Sequence, residues 1–146
     1  MKEIRRSAIV EHSAVEMYQL VDDVESYPQF LPWCQEVRVE TLGGKRHATL
    51  TVGLRGIRQS FTTVNENQPG KAIDLRLVEG PFKRFEAAWQ FTPLSASACE
   101  IVYSMRYEFA SRVIGKLLEP LFDQIADTMV DAFTRRADEL HGRNPG

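Results

Sequence analysis

Cysteine is scarce in this chain of 146 residues: Cys34 and Cys99 are its only two, far apart and in no C-x-x-C pair. No disulfide framework or thiolate zinc site can be built from them, and both read as free thiols in a reducing cytoplasm. No apolar run approaches the roughly 18 residues that a membrane span needs, so an integral membrane segment is excluded. Charge of either sign is not in excess. A net charge of −2 gives no global pull toward nucleic acid, and DNA is not an expected partner. The first residues, Met1 to Arg6, are charged and run into a strand-like pattern, so nothing there reads as a secretory signal. Chemistry-bearing motifs are missing too. His12, His47 and His141 are scattered in sequence, and there is no H-E-x-x-H, no G-x-S-x-G, no P-loop and no G-x-G-x-x-G after a strand. The adjacent acids Asp22 and Asp23 sit at a helix boundary, where such pairs are ordinarily a solvated end, and no base is nominated for Cys34. These absences point away from an enzyme, and no catalytic residue, metal ligand or cofactor is expected.

What the chain does have is one long amphipathic stretch. From Ser111 to Leu140 the apolar residues Val113, Ile114, Leu117, Leu118, Leu121, Phe122, Ile125, Met129, Val130, Phe133, Ala137 and Leu140 recur at steps of three and four. That is one buried helical stripe, with Lys116, Glu119, Asp123, Asp127, Asp131 and Arg135 on the opposite side. At 1.5 Å per residue the helix would run roughly 45 Å and needs a broad apolar partner surface. Pro120 removes a backbone donor, which predicts a kink, with a short segment over 112–119 and a longer one beyond.

Upstream the pattern changes period. Residues 3–11 alternate as a strand, with Ile4, Ala8 and Val10 on one parity and Arg6 the one charge among them. Ser13 stands three residues before Glu16, the spacing of a capping box that opens a short helix. Tyr27-Pro28-Gln29-Phe30-Leu31-Pro32-Trp33-Cys34 follows, and its two prolines predict a helical turn and a bend. From Val37 to Phe109 apolar and polar residues alternate in six strands, punctuated by Gly43-Gly44, Gly56, Pro69-Gly70 and Gly80-Pro81. The last is the clearest, with Cys99, Ile101, Tyr103, Met105, Tyr107 and Phe109 on one parity. The expected architecture is therefore α+β: a curved antiparallel sheet of seven strands, two short helices after the first, and the long C-terminal helix gripped by the sheet. Residues 1–141 read as a single domain and 142–146 as a disordered tail.

The predicted inner surface is rich in large adaptable side chains, the kind that line pockets for apolar ligands. Phe61, Phe85, Trp89, Phe91, Tyr103, Met105 and Tyr107 come from the sheet, Leu118, Phe122, Ile125 and Met129 from the helix, and Phe30 and Trp33 from the proline-rich segment. These thirteen are the candidate ligand-binding residues, with the hydroxyls of Tyr103 and Tyr107 suited to a carbonyl head. Access to the cavity is expected between residues 27–34 and the first turns of the long helix, where Gly115 and Pro120 weaken it.

Several runs resemble the START-like (helix-grip, SRPBCC) superfamily, and within it the family that joins coenzyme Q-binding START proteins to the ribosome association toxin RatA. They are Asp23-Val24, Tyr27 to Cys34, Gly80-Pro81-Phe82-Lys83, Trp89-Gln90-Phe91-Thr92-Pro93-Leu94, and Met129-Val130 with Ala132-Phe133 and Arg136-Ala137. Two positions depart from that family's pattern: Val64 stands where an arginine is common and Ala87 where a glycine is common. The resemblance implies two functions of different classes. One is non-enzymatic binding of a hydrophobic small molecule, ubiquinone or a related polyprenyl lipid, with peripheral contact to a membrane. The other is association with the large ribosomal subunit so that subunit joining is blocked, for which Lys45, Arg46, Arg55, Arg58, Lys83 and Arg84 are the candidate phosphate contacts.

Overall fold

The computed structural model of the chain describes residues 1–142. Its elements are β1 (Lys2–Val10), α1 (Ala14–Asp22), a 3-10 turn (Val24–Gln29), β2 (Cys34–Leu42), β3 (Lys45–Leu54), β4 (Ile57–Gln68), β5 (Ala72–Glu79), β6 (Phe82–Ser95), β7 (Ala98–Phe109) and α2 (Arg112–His141). This is the expected α+β order. Of the predicted tail only Gly142, which caps α2, is described, and the rest of that expectation lies outside the described residues.

The strands form one antiparallel sheet in the order β1-β7-β6-β5-β4-β3-β2. From β2 to β7 the chain is a plain meander, so each strand pairs with the next. The exception is the start: β1 pairs with β7 while β2 lies at the far edge, and α1 with the 3-10 turn carries the chain from one edge to the other. Two of the hairpins close with two residues of positive φ, Gly43-Gly44 and Arg55-Gly56, the mirror-image turns whose twist matches that of the strands. Arg55, at φ 52°, is the one non-glycine residue among those described to take that conformation.

Local capping is as predicted for α1. The Ser13 hydroxyl accepts from the Glu16 backbone at 3.1 Å, and the Glu16 carboxylate accepts from the Ser13 backbone at 3.2 Å. The Ser13 backbone N–H is also the main reason the Glu16 carboxyl is held below the usual carboxylate range. At α2 the Ser111 hydroxyl accepts from Ile114 N at 3.1 Å.

Two expectations for α2 are corrected. It is a single helix through Pro120 and not two segments. Proline deprives only the Lys116 carbonyl of its donor, and both residues are exposed, so no buried group is orphaned while Leu118, Leu121 and Phe122 stay packed below. The buried stripe is also narrower than the sequence pattern: Val113, Leu117 and Leu140 are exposed, at 77%, 52% and 53%. The row that the sheet covers is Leu118, Leu121, Phe122, Ile125, Met129, Val130, Phe133 and Ala137. Full burial of such a side chain stabilises by about 1.5–3 kcal/mol, so this row anchors the helix.

Arg6, the charge on the inward parity of β1, does not enter the core. As an edge strand, β1 lies beside α2, and Arg6 meets Asp127 at 3.2 Å while Lys2 meets Asp123 at 2.5 Å. Asp22 is likewise structural: its side chain takes Arg46 at 2.5 Å and Asn67 at 2.6 Å, which pins the end of α1 to β3 and β4.

Candidate functional site

The curved sheet does not close fully on α2. A cavity of about 60 Å³ remains between them, roofed at one side by the 3-10 turn and the bend after it. Its walls follow from strand alternation, in which every second residue points inward. Ala48 and Leu50 come from β3, Phe61, Thr63 and Asn65 from β4, Leu75 from β5, Phe85, Ala87 and Trp89 from β6, and Tyr103 and Met105 from β7. Phe122, Ile125 and Met129 face them from α2 at helical spacing, and Val24, Tyr27 and Trp33 close the remaining side.

Most candidate ligand residues therefore meet at one place: Trp33, Phe61, Phe85, Trp89, Tyr103, Met105, Phe122, Ile125 and Met129 all line the cavity. Four do not. Phe91 has the right parity, but α1 covers it, with Tyr18 edge-on at 5.8 Å and Trp89 between it and the open space. Tyr107 lies behind a group of rings formed by Phe82, Phe109 and Phe122, and its buried hydroxyl has no hydrogen-bond partner among the described residues. Leu118 is fully buried one turn before Phe122, where packing leaves no space. Phe30 turns outward onto the second half of α2, with Phe133 at 5.1 Å and the Arg136 guanidinium over its ring at 5.2 Å.

That last contact also moves the expected access route. Residues 27–34 face the C-terminal half of α2, with Gln29 accepting from Arg136 at 2.8 Å and Trp33 Nε1 donating to Thr128 at 3.1 Å. The first turns of α2 instead pack beside Phe109, the residue nearest Gly115.

The polar groups of the wall are few. Trp33 is satisfied by Thr128, and the Tyr27 hydroxyl donates to the Val21 carbonyl. Tyr103 reaches only the Met105 thioether, at 3.4 Å, and the Thr63 hydroxyl donates to the Asn65 side-chain carbonyl at 2.9 Å. Burial pushes the pKa of both Tyr27 and Tyr103 upward, so neither hydroxyl is a base at neutral pH. Among the described residues no carboxylate, histidine, lysine or arginine lines the cavity. Cys34 and Cys99 are buried thiols whose pKa burial raises to about 11, which removes them as nucleophiles. Two histidines that the sequence scatters are brought together: His12 meets Asp138 at 2.7 Å, His141 meets Glu16 at 3.1 Å, and their rings stand 6.1 Å apart. They tie β1, α1 and the end of α2 and lie outside the cavity wall. Among the described residues no group of three or more His, Cys, Asp or Glu side chains is placed to hold a metal ion.

Sequence reasoning missed Thr63 and Asn65. Their signal was present, since they share parity with Phe61, but Val64 competes for the inward assignment. The register shift between Thr62 and Thr63 accompanies the true parity, in which Val64 is half-buried on the other face.

The basic residues form no single patch. Lys45 and Arg46 begin β3 and Arg55 follows its end, about 30 Å away. Arg46 is held by Asp22, Arg58 stands 3.6 Å from Glu36, and Lys83 stands 3.6 Å from Glu108. Lys83 and Arg84 do line a shallow outer surface together with Arg76 and Arg106. Arg106 there is bridged to Glu3 at 3.0 Å and to Glu86 at 3.2 Å.

Comparison with known proteins agrees with this geometry. Residues 10–134 match the family described as polyketide cyclase/dehydrase and lipid transport. Ribosome association toxin RatA of Escherichia coli is 44% identical over 142 residues, which covers 97% of this chain and 90% of that protein. A coenzyme Q-binding protein of Xenopus laevis, the mitochondrial COQ10 homolog B, is 29% identical over 146 residues, which is 97% of this chain and 60% of that one. Among solved structures, a START superfamily protein of Mycobacterium smegmatis superposes with a TM-score of 0.80 at 21% identity, covering 94% of this chain and 98% of that one, a likeness of fold.

Proposed function

This chain belongs to the START-like family of polyketide cyclase/dehydrase and lipid transport proteins, in the group that includes ribosome association toxin RatA, and on that premise we propose that it binds a hydrophobic ligand without chemically altering it. The ligand class is ubiquinone or a related polyprenyl lipid, and the role is support of quinone function in respiration. One observation carries the reading: a cavity with an almost wholly apolar wall lies where the sheet grips the helix, and among the described residues no carboxylate or histidine faces it. Acid–base catalysis has no group there to run on. The resemblance to a coenzyme Q-binding protein supports the choice of ligand.

At about 60 Å³ the cavity has room for roughly two waters, whereas sites for small-molecule ligands run to several hundred Å³. The cavity must therefore widen on binding. Met105 and Met129, unbranched and flexible, are the wall residues best able to give way. A ligand of this kind resides in a bilayer, and the exposed Val113 and Leu117, flanked by Arg112 and Lys116 on the same exposed turns of α2, suit contact with an anionic membrane surface. No helix among the described residues is long and apolar enough to cross a membrane.

Both tryptophans of the chain, Trp33 and Trp89, line the cavity, so quinone binding should quench intrinsic fluorescence. Titration with a short-tailed ubiquinone, together with mass spectrometry of the organic extract of gently purified protein, tests the proposal. Saturable quenching at micromolar ligand supports it. No quenching, with no lipid in repeated extracts, sinks it.

A second reading is favoured by the 44% identity to RatA, namely association with the large ribosomal subunit that blocks subunit joining. Arg76 and Arg84 are its best surface, since Arg46, Arg58 and Lys83 are engaged by acids. Val64 in place of an arginine and a net charge of −2 weigh against it.

A further inference from the structure

Among the described residues the two polar side chains of the wall that are not aromatic lie on a single strand. Thr63 and Asn65 are inward neighbours on β4, with only 1% and 8% of their surface exposed. Their mutual hydrogen bond satisfies the Asn65 carbonyl, while the amide nitrogen of Asn65 meets no partner among the described residues. An amide donor that borders the cavity and has no protein acceptor is open to a guest, so the pair is better explained as a site than as packing. The other polar groups around the cavity are already engaged, Trp33 and Tyr27 by oxygen partners and Tyr103 by the Met105 thioether.

We infer that Asn65 holds the head group of the ligand, and that Thr63 lets the same amide accept either oxidation state of a quinone. The inference rests on the carrier reading above. With Thr63 donating to Oδ1, the Asn65 N–H faces the cavity and donates to a quinone carbonyl. Rotating the amide by half a turn reverses both roles. Nδ2 then donates to the Thr63 oxygen, and Oδ1 faces the cavity to accept from a hydroquinone O–H. A hydroxyl both donates and accepts, and the two ends of a primary amide are nearly the same shape, so either end can pair with Thr63 while the other faces the head group. No electron or covalent bond is exchanged at this site, where the protein only holds what other proteins oxidise or reduce. Among the described residues no lysine or arginine lines the wall, which disfavours an ionised head such as a fatty-acid carboxylate.

The test is titration calorimetry of the whole protein with three probes of equal tail: a decyl-tailed ubiquinone, its hydroquinone, and decylbenzene. Wild-type protein should bind the two quinone forms with affinities within about threefold of each other. Asn65→Leu should weaken both about tenfold, the loss of one net buried hydrogen bond, and leave decylbenzene unchanged. The double variant Thr63→Val with Asn65→Leu, an all-apolar wall with no orphaned hydroxyl, should behave like Asn65→Leu and keeps the test valid should the single variant fold poorly. Quinone affinity unchanged within twofold in both variants overturns the head-group assignment and leaves the carrier standing. A preference of wild-type protein above tenfold for one oxidation state overturns the role of Thr63. Binding of decylbenzene without either quinone form overturns the inference alone, whereas binding of none of the three overturns the carrier reading with it.

Discussion

Replacing Ala87 by valine adds two methyl carbons at the centre of the cavity wall, on a strand whose extended backbone suits a β-branched side chain. Filling a void of 60 Å³ at roughly 24 cal/mol per Å³ gives a ceiling of about 1.4 kcal/mol. The transfer value of about 0.8 kcal/mol per carbon gives nearly the same figure. Some strain against Leu75 and Met105, the cross-strand neighbours of Ala87, will subtract from it. The expected net gain is about 1 kcal/mol, a rise in Tm of about 2–6 °C for a chain of this size. Ligand uptake should fall at the same time, because the added carbons occupy the space that seeds opening. Thermal unfolding and fluorescence titration with a short-tailed quinone, on the same preparations, give both readouts. A protein that is more stable yet binds as before would refute the placement of the ligand, and one that is less stable would refute the reading of the void as fillable.

Vesicle flotation checks the membrane surface: Val113→Asp with Leu117→Asp should abolish recovery with anionic vesicles while circular dichroism stays unchanged, and neutral vesicles should recover less wild-type protein than anionic ones. For the ribosome, co-sedimentation with large subunits should fall steeply between low and moderate salt and be lost on charge reversal of Arg76 and Arg84, with quinone binding intact. Salt-insensitive co-sedimentation would count against a phosphate contact. The buried thiols give an alkaline signature. In the unfolded chain they ionise near pH 9, while burial pushes Cys34 and Cys99 up to about 11, so their contribution to stability is present below pH 9 and lost as pH rises toward 11. The urea midpoint should drop over that window, and less steeply in a Cys34→Ala, Cys99→Ala variant. Arg55→Asn should raise stability by about 0.5–1 kcal/mol, since asparagine tolerates the positive φ of this turn, and a lowered midpoint would show that the arginine side chain has a compensating contact.

The fold was legible because its two periods are clean. Alternation through β7 and the three-and-four spacing of α2 each leave one assignment, and turns such as Gly43-Gly44 and Pro69-Gly70 fall between them. The candidate site was legible only where apolar content and parity agree. Trp89 and Phe91 share a parity, yet one lines the cavity and the other is sealed by α1, a difference set by what lies above the strand. Thr63 and Asn65 escaped for the opposite reason: polar residues on a strand read as solvent-facing until the register is known. Likewise Val113 and Leu117 fit the helical stripe, and only the extent of the sheet shows that they overhang it.

The pairing of β1 with β7 joins residues 2–10 to residues 99–107. During synthesis the hairpins from β2 to β6 can form as they emerge, but the first strand must wait for almost the whole chain before it has an edge to join. Until then its Lys2 and Arg6 lack Asp123 and Asp127, and the apolar face of the meander lacks α2. Closure of the sheet over its core thus waits for α2 to emerge. Truncations that remove the last turns of α2, where Phe133 and Ala137 are fully buried, should leave a nascent sheet that recruits chaperones instead of settling into the native state.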